Sequence, residues 1–430
     1  MTDQEIAALG PAFAHYLERF RGCFLQKWTA AHFGTFCRGL LSDLPRKSVE
    51  PIALEAGTAV RTLQEFLVTS QWDHDRARDR LHQRLAEVLA DVPADDLGTV
   101  GVIDETSCQK WGDQTPGVQR QYLGCVGKID NGIVTVHVGV AKGTFQALCD
   151  AELYLPESWA GDRDRCRGAG IPDEVGYRSK WRIALDQLIR LGENGVSFDW
   201  LVFDEWYGSR VPFLWVLSLV GQTFVAEVPV SFTVRRSSEA AAHRADEFQP
   251  ARGTGTWARF RIARKTQAKQ VWRARSRRVW AAEGWHQLVT AINEATGEVK
   301  YFVTNAVGEP LSRVLRVAFR RATIEHAFRV AKQEAGLMHF EGRHYAGLVR
   351  HLVMALVVLG FVAEHTERLR GEKPGGDGGA GLPGVEPALR GDAEPPPRRS
   401  HATPRRRGDP LSSTAKRPGH QVPQETAAPV

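Results

Sequence analysis

The sequence predicts an α/β protein with a helical N-terminal segment and a basic, β-rich insertion late in the chain. Three observations carry this. Apolar residues recur at helical spacing as far as about residue 95; from Gly98 short apolar runs of β character follow one another, two of them closed by an aspartate; and between residues 233 and 280 arginines alternate with small or apolar residues.

Residues 1–95 read as an all-helical domain. Phe13, Leu17, Phe20 and Phe24 repeat at threes and fours, as do Phe33, Phe36 and Leu40, and later Leu63, Phe66 and Leu67. Pro45 and Pro51 break the helices. Asp73 or Asp75 is placed to cap the amphipathic stretch DHDRARDRLHQRLAEVLADV. Small helical domains of this kind serve as scaffolds or contact DNA, and both roles stay open.

Residues 96–232 turn to strands. GTVGVIDET is a buried strand ending in an acid; RQYLGCVGKID and NGIVTVHVGVAK follow, joined by a hairpin turn at Asp130-Asn131-Gly132; ALCDAELYLP ends the meander. Lys180 to Leu191 is a helix with Gly192 and Gly195 near its end. WLVFD, ending at Asp204, is again a short buried strand; Val211 to Val220 is a helix and Phe224 to Val228 a strand. Three antiparallel strands followed by alternating helix and strand make a sheet with helices on its faces. Ribonuclease-H-like folds share that order, so this segment is expected to be the first part of such a catalytic core.

Residues 233–308 form the insertion. Between 233 and 280 there are 13 Lys and Arg against three Asp and Glu. Arg259 and Arg261, and Arg273, Arg275 and Arg277, fall on alternate positions, so each set shares one face of a strand. Such a row suits a phosphate backbone; a charged sheet edge that resists aggregation is the plainer alternative. Residues 309–370 return to helices, in two or more pieces from Leu311 to His365, and complete the core. Residues 371–430 hold half of the 22 prolines and almost no large apolar residues, so a disordered tail is expected.

Composition narrows the function classes. The chain has 430 residues, a net charge of +6 and a pI near 9.0, a balance that admits a polyanionic partner without demanding one. Its six cysteines form no C-x-x-C pair, which argues against structural zinc and for reduced thiols. The N-terminus lacks the pattern of a signal peptide, and the apolar run from Leu352 to Ala363 is too short to span a bilayer. A soluble, cytoplasmic and nucleoid-associated protein without a membrane partner is expected. No phosphate-binding G-x-x-x-x-G-K-[ST] loop, H-E-x-x-H or G-x-S-x-G motif is present.

What remains is carboxylate chemistry. Phosphodiester cleavage by two metal ions needs clustered acids that hold hard cations roughly 4 Å apart. Asp104 closes VGVID and Asp204 closes WLVFD, so on adjacent strands both side chains emerge at one edge. Strand alternation turns Glu105 and Glu205 to the other face. A third acid comes from a helix: in RATIEHAFRVAKQEAGLMHFEGR, Arg321, Glu325, Arg329 and Lys332 lie close to one face. An ion-paired surface stripe explains such a pattern too, but one acid among three bases suits a face that holds metal and phosphates together.

These residues resemble those of DDE-type insertion-sequence transposases, specifically the 701-type branch near the IS-four-like group. The resemblance rests on LQEFLVTSQWDHDRARD, GVIDETS, GVQRQYLGCVGKIDNG, LVFDEWYG and IEHAFRVAKQEAGLMHFEGRHYAGLVRH, spread from about residue 20 to 365. It implies an acidic triad of Asp104, Asp204 and Glu325 that binds two Mg²⁺ or Mn²⁺ ions. It implies hydrolysis at element ends to free 3′-hydroxyls, then transesterification into target DNA, carried out by a homodimer. A nuclease that cuts without strand transfer, or an inactive DNA-binding descendant, are the alternatives. The related Y-x2-R-x3-E-x6-K signature matches at Arg321, Glu325 and Lys332 but has Ala318 at the Tyr position, and Met338 stands where an Asp is usual. Lys110, Arg329 and Lys332 are expected phosphate clamps, with Arg120 and Tyr122 as further DNA contacts.

Overall fold

Helices come first because the apolar spacing of residues 3–91 allows little else. They are α1 (Asp3–Glu18), α2 (Lys27–Leu41), α3 (Val49–Glu55), α4 (Val60–Val68) and α5 (His74–Asp91), with a single 3-10 turn at Arg21–Cys23. Asp73 caps α5, accepting from the Arg76 N–H at 2.8 Å. The computed structural model describes residues 3–248, 257–264, 267–371 and 385–387.

The N-terminal helices do not close a core of their own. They pack around the last helix, α13 (Tyr345–Gly371). The Phe13 and Phe361 rings lie 4.8 Å apart, and buried Arg350 donates to the carbonyls of Phe66, Leu67 and Trp72. Each residue from Leu352 to Val358 is at most 2% exposed. At 27 residues α13 is longer than its apolar run, and its length and composition would let it cross a bilayer. Here it is the buried axis of the helical half.

The strands are β1 (Thr99–Gln109), β2 (Gln119–Leu123), β3 (Lys128–Lys142), β4 (Phe145–Leu153), β5 (Trp200–Phe203) and β6 (Phe224–Val228), then a small pair β7 (Thr233–Val234) and β8 (His243–Arg244), then β9 (Ala258–Arg264), β10 (Gln267–Ala281), β11 (Gly284–Asn293), β12 (Val299–Thr304) and β13 (Val385–Pro387). All but β7 and β8 join one mixed sheet in the order β13-β9-β10-β11-β12-β6-β5-β1-β3-β2, with β4 also on β3. β1 with β5 and β5 with β6 are parallel; the other pairs are antiparallel. Strands 258–304, within the expected β-rich insertion, therefore extend the central sheet, β12 against β6. Of residues 371–430, expected to be a disordered tail, Gly371 ends α13 and Val385–Pro387 pair with β9; the others lie outside the described residues.

Two strand readings change. Asp130, Asn131 and Gly132 are not a turn: they lie within β3, opposite Gln121, Arg120 and Gln119. The turn is Gly124–Gly127, where the N–H groups of Val126 and Gly127 both donate to the Leu123 carbonyl, at 3.1 and 2.9 Å. Gly127 takes a φ of +67°, which suits glycine best. β1 also runs past Asp104. Its parallel pairing with β5 stops at Ile103 opposite Phe203, but its antiparallel pairing with β3 continues to Gln109 opposite Gly132.

Between β4 and β5 lie α6 (Glu157–Ala160), α7 (Arg163–Gly168) and α8 (Lys180–Glu193); α9 (Glu205–Gly208) and α10 (Val211–Leu219) follow β5; α11 (Leu311–Arg320) and α12 (Ala322–Glu334) follow β12. Strand alternation separates them across the sheet. Glu105 meets Lys180 of α8 at 2.8 Å, while its neighbour Asp104 meets Arg321, between α11 and α12, at 3.2 Å. Gly139 of β3 lets α12 come close, since a Cβ there would lie 2.3 Å from the Ile324 Cδ1.

Candidate active site

The local sequence places each acid. VGVI and WLVF are buried runs that pair in parallel, so the residues that follow them, Asp104 and Asp204, emerge side by side where that pairing ends. Asp204 also caps α9, accepting from the Tyr207 N–H at 3.2 Å. Gly208, at the end of α9, permits this helix to sit against β6: a Cβ there would lie 1.9 Å from the Glu227 carbonyl oxygen. Glu205, next to Asp204, is exposed.

Burial and proximity set the electrostatics. Burial and then the charge of Asp204 push the Asp104 carboxyl up to about 7, with Arg321 partly offsetting them. Burial raises Asp204 as well, against the pull of the Tyr207 N–H and Arg321. The Arg321 guanidinium bridges the acids: Asp104 at 3.2 Å, Glu325 at 3.6 Å and Glu227 at 4.0 Å. Burial works against its charge, and Asp104, Glu227 and Glu325 more than restore it.

The structure thus brings Asp104 and Asp204 together and links Glu325 to Asp104 through Arg321. Glu325 lies in the first turn of α12, with its side chain 62% exposed. Among the described residues no three Asp, Glu, His or Cys side chains gather closely enough to hold an ion. Glu227, which the sequence reading passed over, belongs to this group. It sits on β6, paired with Lys300 at 2.6 Å. Its signal was an acid inside the otherwise apolar strand FVAEV.

The other expected contacts scatter. Arg329 is exposed on α12 and bonds the His326 ring at 2.8 Å; Lys332, in its last turn, lies over the Phe328 ring. The Lys110 ammonium is engaged by the Phe340 carbonyl at 2.5 Å. Arg120 and Tyr122 are exposed on β2, at the sheet edge. Arg259 is held by Glu294, with a closest approach of 2.5 Å, which removes it from the predicted row of unpaired charge. Arg261 is exposed on β9. Arg273 and Arg275 stack over Trp257 at 5.2 and 4.5 Å. Burial, Arg275 and Arg236 lower the pKa of Arg277, the mark of a crowded cationic patch.

Over 196 residues the chain is 35% identical to the probable transposase for insertion sequence element IS701 of Microchaete diplosiphon, covering 44% of this chain and 46% of the relative. The chain thus spans about half the length of the curated relative it matches. Residues 19–291 match the DDE superfamily endonuclease family, a span that contains Asp104, Asp204 and Glu227 and ends before Glu325. The match covers more than half of the chain, which therefore belongs to the DDE superfamily endonucleases.

Proposed function

We propose that this chain is the DNA transposase of an insertion sequence, cutting at element ends to free 3′-hydroxyls and joining them to target DNA. The observation that carries the reading is the half-buried pair Asp104 and Asp204, side by side where the parallel pairing of β1 and β5 ends and faced by a helix that bears Glu325 among basic residues. The strand run β4-β3-β1-β5-β6 supports a ribonuclease-H-like core, since three antiparallel strands are continued by two parallel ones.

The donor chemistry of this pair fits Mg²⁺ or Mn²⁺. Two hard-oxygen carboxylates that repel each other in a buried setting gain from a divalent cation what they otherwise gain from a proton or from Arg321. Asp104 and Asp204 would hold the ions, and Glu325 would complete the set once Arg321 turns to a phosphate. Bound ions would polarise the phosphoryl oxygens and lower the pKa of the attacking water or hydroxyl. The chain's own groups position the DNA: Arg329 and Lys332 along α12, and Arg273, Arg275 and Arg277 on β10, present positive charge to the backbone. Two element ends must be cut together, which calls for a homodimer.

The test is a cleavage and joining assay with end-containing duplex and Mg²⁺. The parent should nick at the 3′ end of the element and join it to target. Asp104→Asn and Asp204→Asn should each lose roughly 1000-fold in rate, the scale of several kcal/mol of charge stabilisation. Cleavage without joining would make the chain a nuclease instead, and DNA binding without cleavage in the parent would make it an inactive descendant.

A further inference from the structure

Seven residues beyond Asp104 the chain presents Trp111, at 93% exposure the most exposed large apolar residue among those described. A loose loop would give such exposure no meaning, but this backbone is held on both sides. The Asn131 side-chain amide donates to the carbonyls of Lys110 and Gly112, at 2.7 and 2.9 Å. The Lys110 N–H donates to the Asn131 carbonyl at 2.9 Å, and the Lys110 ammonium is tied to the Phe340 carbonyl. The indole is displayed from a fixed frame.

Trp111 stands at a cleft of about 700 Å³ between the segment after β1 and the segment after α12. Residues 104, 106 and 108 share one face of β1, and Cys108 reaches the Met338 carbonyl, so the cleft opens on the face that carries Asp104. At about 3.3 Å per residue it lies roughly 20 Å along from Asp104, with α12 bordering the way. Its lining holds Arg46, Lys110 and Arg343 with His339, against Asp113 and Glu341. Arg46 is ion-paired to Glu341, and Lys110 is tied to the Phe340 carbonyl, so a phosphate would compete with Glu341 for Arg46. Burial, and then the charges of Arg46, Lys47 and Lys110, depress the His339 pKa.

We propose that this cleft binds an unpaired nucleotide of a DNA strand, its base stacked on Trp111 and its phosphates beside Arg46 and Arg343. The proposal rests on the reading of the chain as a DNA enzyme and adds a recognition step that the acid pair does not require. A base within a duplex has both faces covered by its neighbours, so a displayed indole selects an unstacked one. The polar, charged lining, with one more cation than acid, suits a nucleotide better than an apolar protein surface.

The experiment is fluorescence anisotropy of the full chain with a labelled oligothymidine of about ten nucleotides, and with the same strand in a duplex. Trp111→Ala should weaken single-strand binding roughly 5- to 150-fold, the range of one lost base–aromatic stack. Trp111→Phe should restore most of it, duplex affinity should hold, and the melting temperature should not move. Unchanged single-strand affinity in Trp111→Ala overturns the proposal; so does equal loss in the Ala and Phe variants. Lost self-association with unchanged strand affinity assigns the ring to a second copy and overturns it too. The two readings separate cleanly: a parent that binds the strand through Trp111 but never cuts sinks the transposase reading alone. A parent that cuts, with Trp111→Ala binding normally, sinks the cleft alone.

Discussion

Asp104 titrates in the folded chain near 7, against an ordinary value of 3.8. The sign of the consequence follows from linkage. A carboxyl whose folded pKa is raised contributes stability below its unfolded pKa and loses it as pH rises through the folded one. The parent, free of divalent cations, should therefore lose stability between about pH 4 and pH 7 from this group, on the order of a few kcal/mol. Asp104→Asn should melt higher than the parent at pH 8, and the gap should close towards pH 4; thermal melts across that range check it, and a gap independent of pH contradicts the assignment. Asp104 and Asp204 were legible because each follows an apolar β run, although β1 continues past Asp104 and Glu205 opens α9. Alternation therefore separates only Glu105 from its neighbour; the family resemblance supplied the choice at Asp204. Glu227 was not legible, because an acid within FVAEV gains meaning only once β6 lies beside β5 and Gly208 draws α9 against it. The partner of Lys110 was hidden for a related reason: it is a backbone carbonyl 230 residues away.

α12 owes its position to contacts at both ends. Ile324 seats against Gly139, and at the other end Lys47, only 3% exposed, donates to the carbonyls of Leu40 at 2.9 Å, Ser42 at 2.5 Å and Glu334. One ammonium thus caps the ends of α2 and α12 together. Lys47→Met keeps the stem but leaves those carbonyls without their donor, and should cost about 2–3 kcal/mol in urea denaturation. An unchanged midpoint would show that the helix end is held by other means. Element types were largely legible: β5, β6, α8 and α10 lie where the apolar runs placed them. Turn chemistry misled at Asp130-Asn131-Gly132, since Gly124 and Gly127 offered a turn that lets both strands keep pairing. The pairing of Arg259 was not legible, because Glu294 lies 35 residues on and reaches it only through sheet pairing.

At the scale of the whole molecule, one sheet runs from the basic strands β9 and β10 to the acid pair, and one long helix gathers the N-terminal helices onto it. Periodicity showed the helices and strands but not this union. Nothing local in residues 258–304 says that β12 will pair with β6, and nothing in residues 3–91 says that their core is completed by residues 345–371. The union matters for the site, because Asp104, Asp204 and Glu325 come from three distant segments that only the assembled sheet and helix bring to one face. The central claim is that these three acids serve one divalent-cation site. The most direct test is the melting temperature of the full chain with and without Mn²⁺, for the parent and for Asp104→Asn, Asp204→Asn and Glu325→Gln. Saturating Mn²⁺ at about 100 times its dissociation constant should stabilise the parent by roughly 2.7 kcal/mol, the two Asp variants should lose that gain, and Glu325→Gln should retain only part of it. Equal stabilisation of the parent and all three variants would contradict the account.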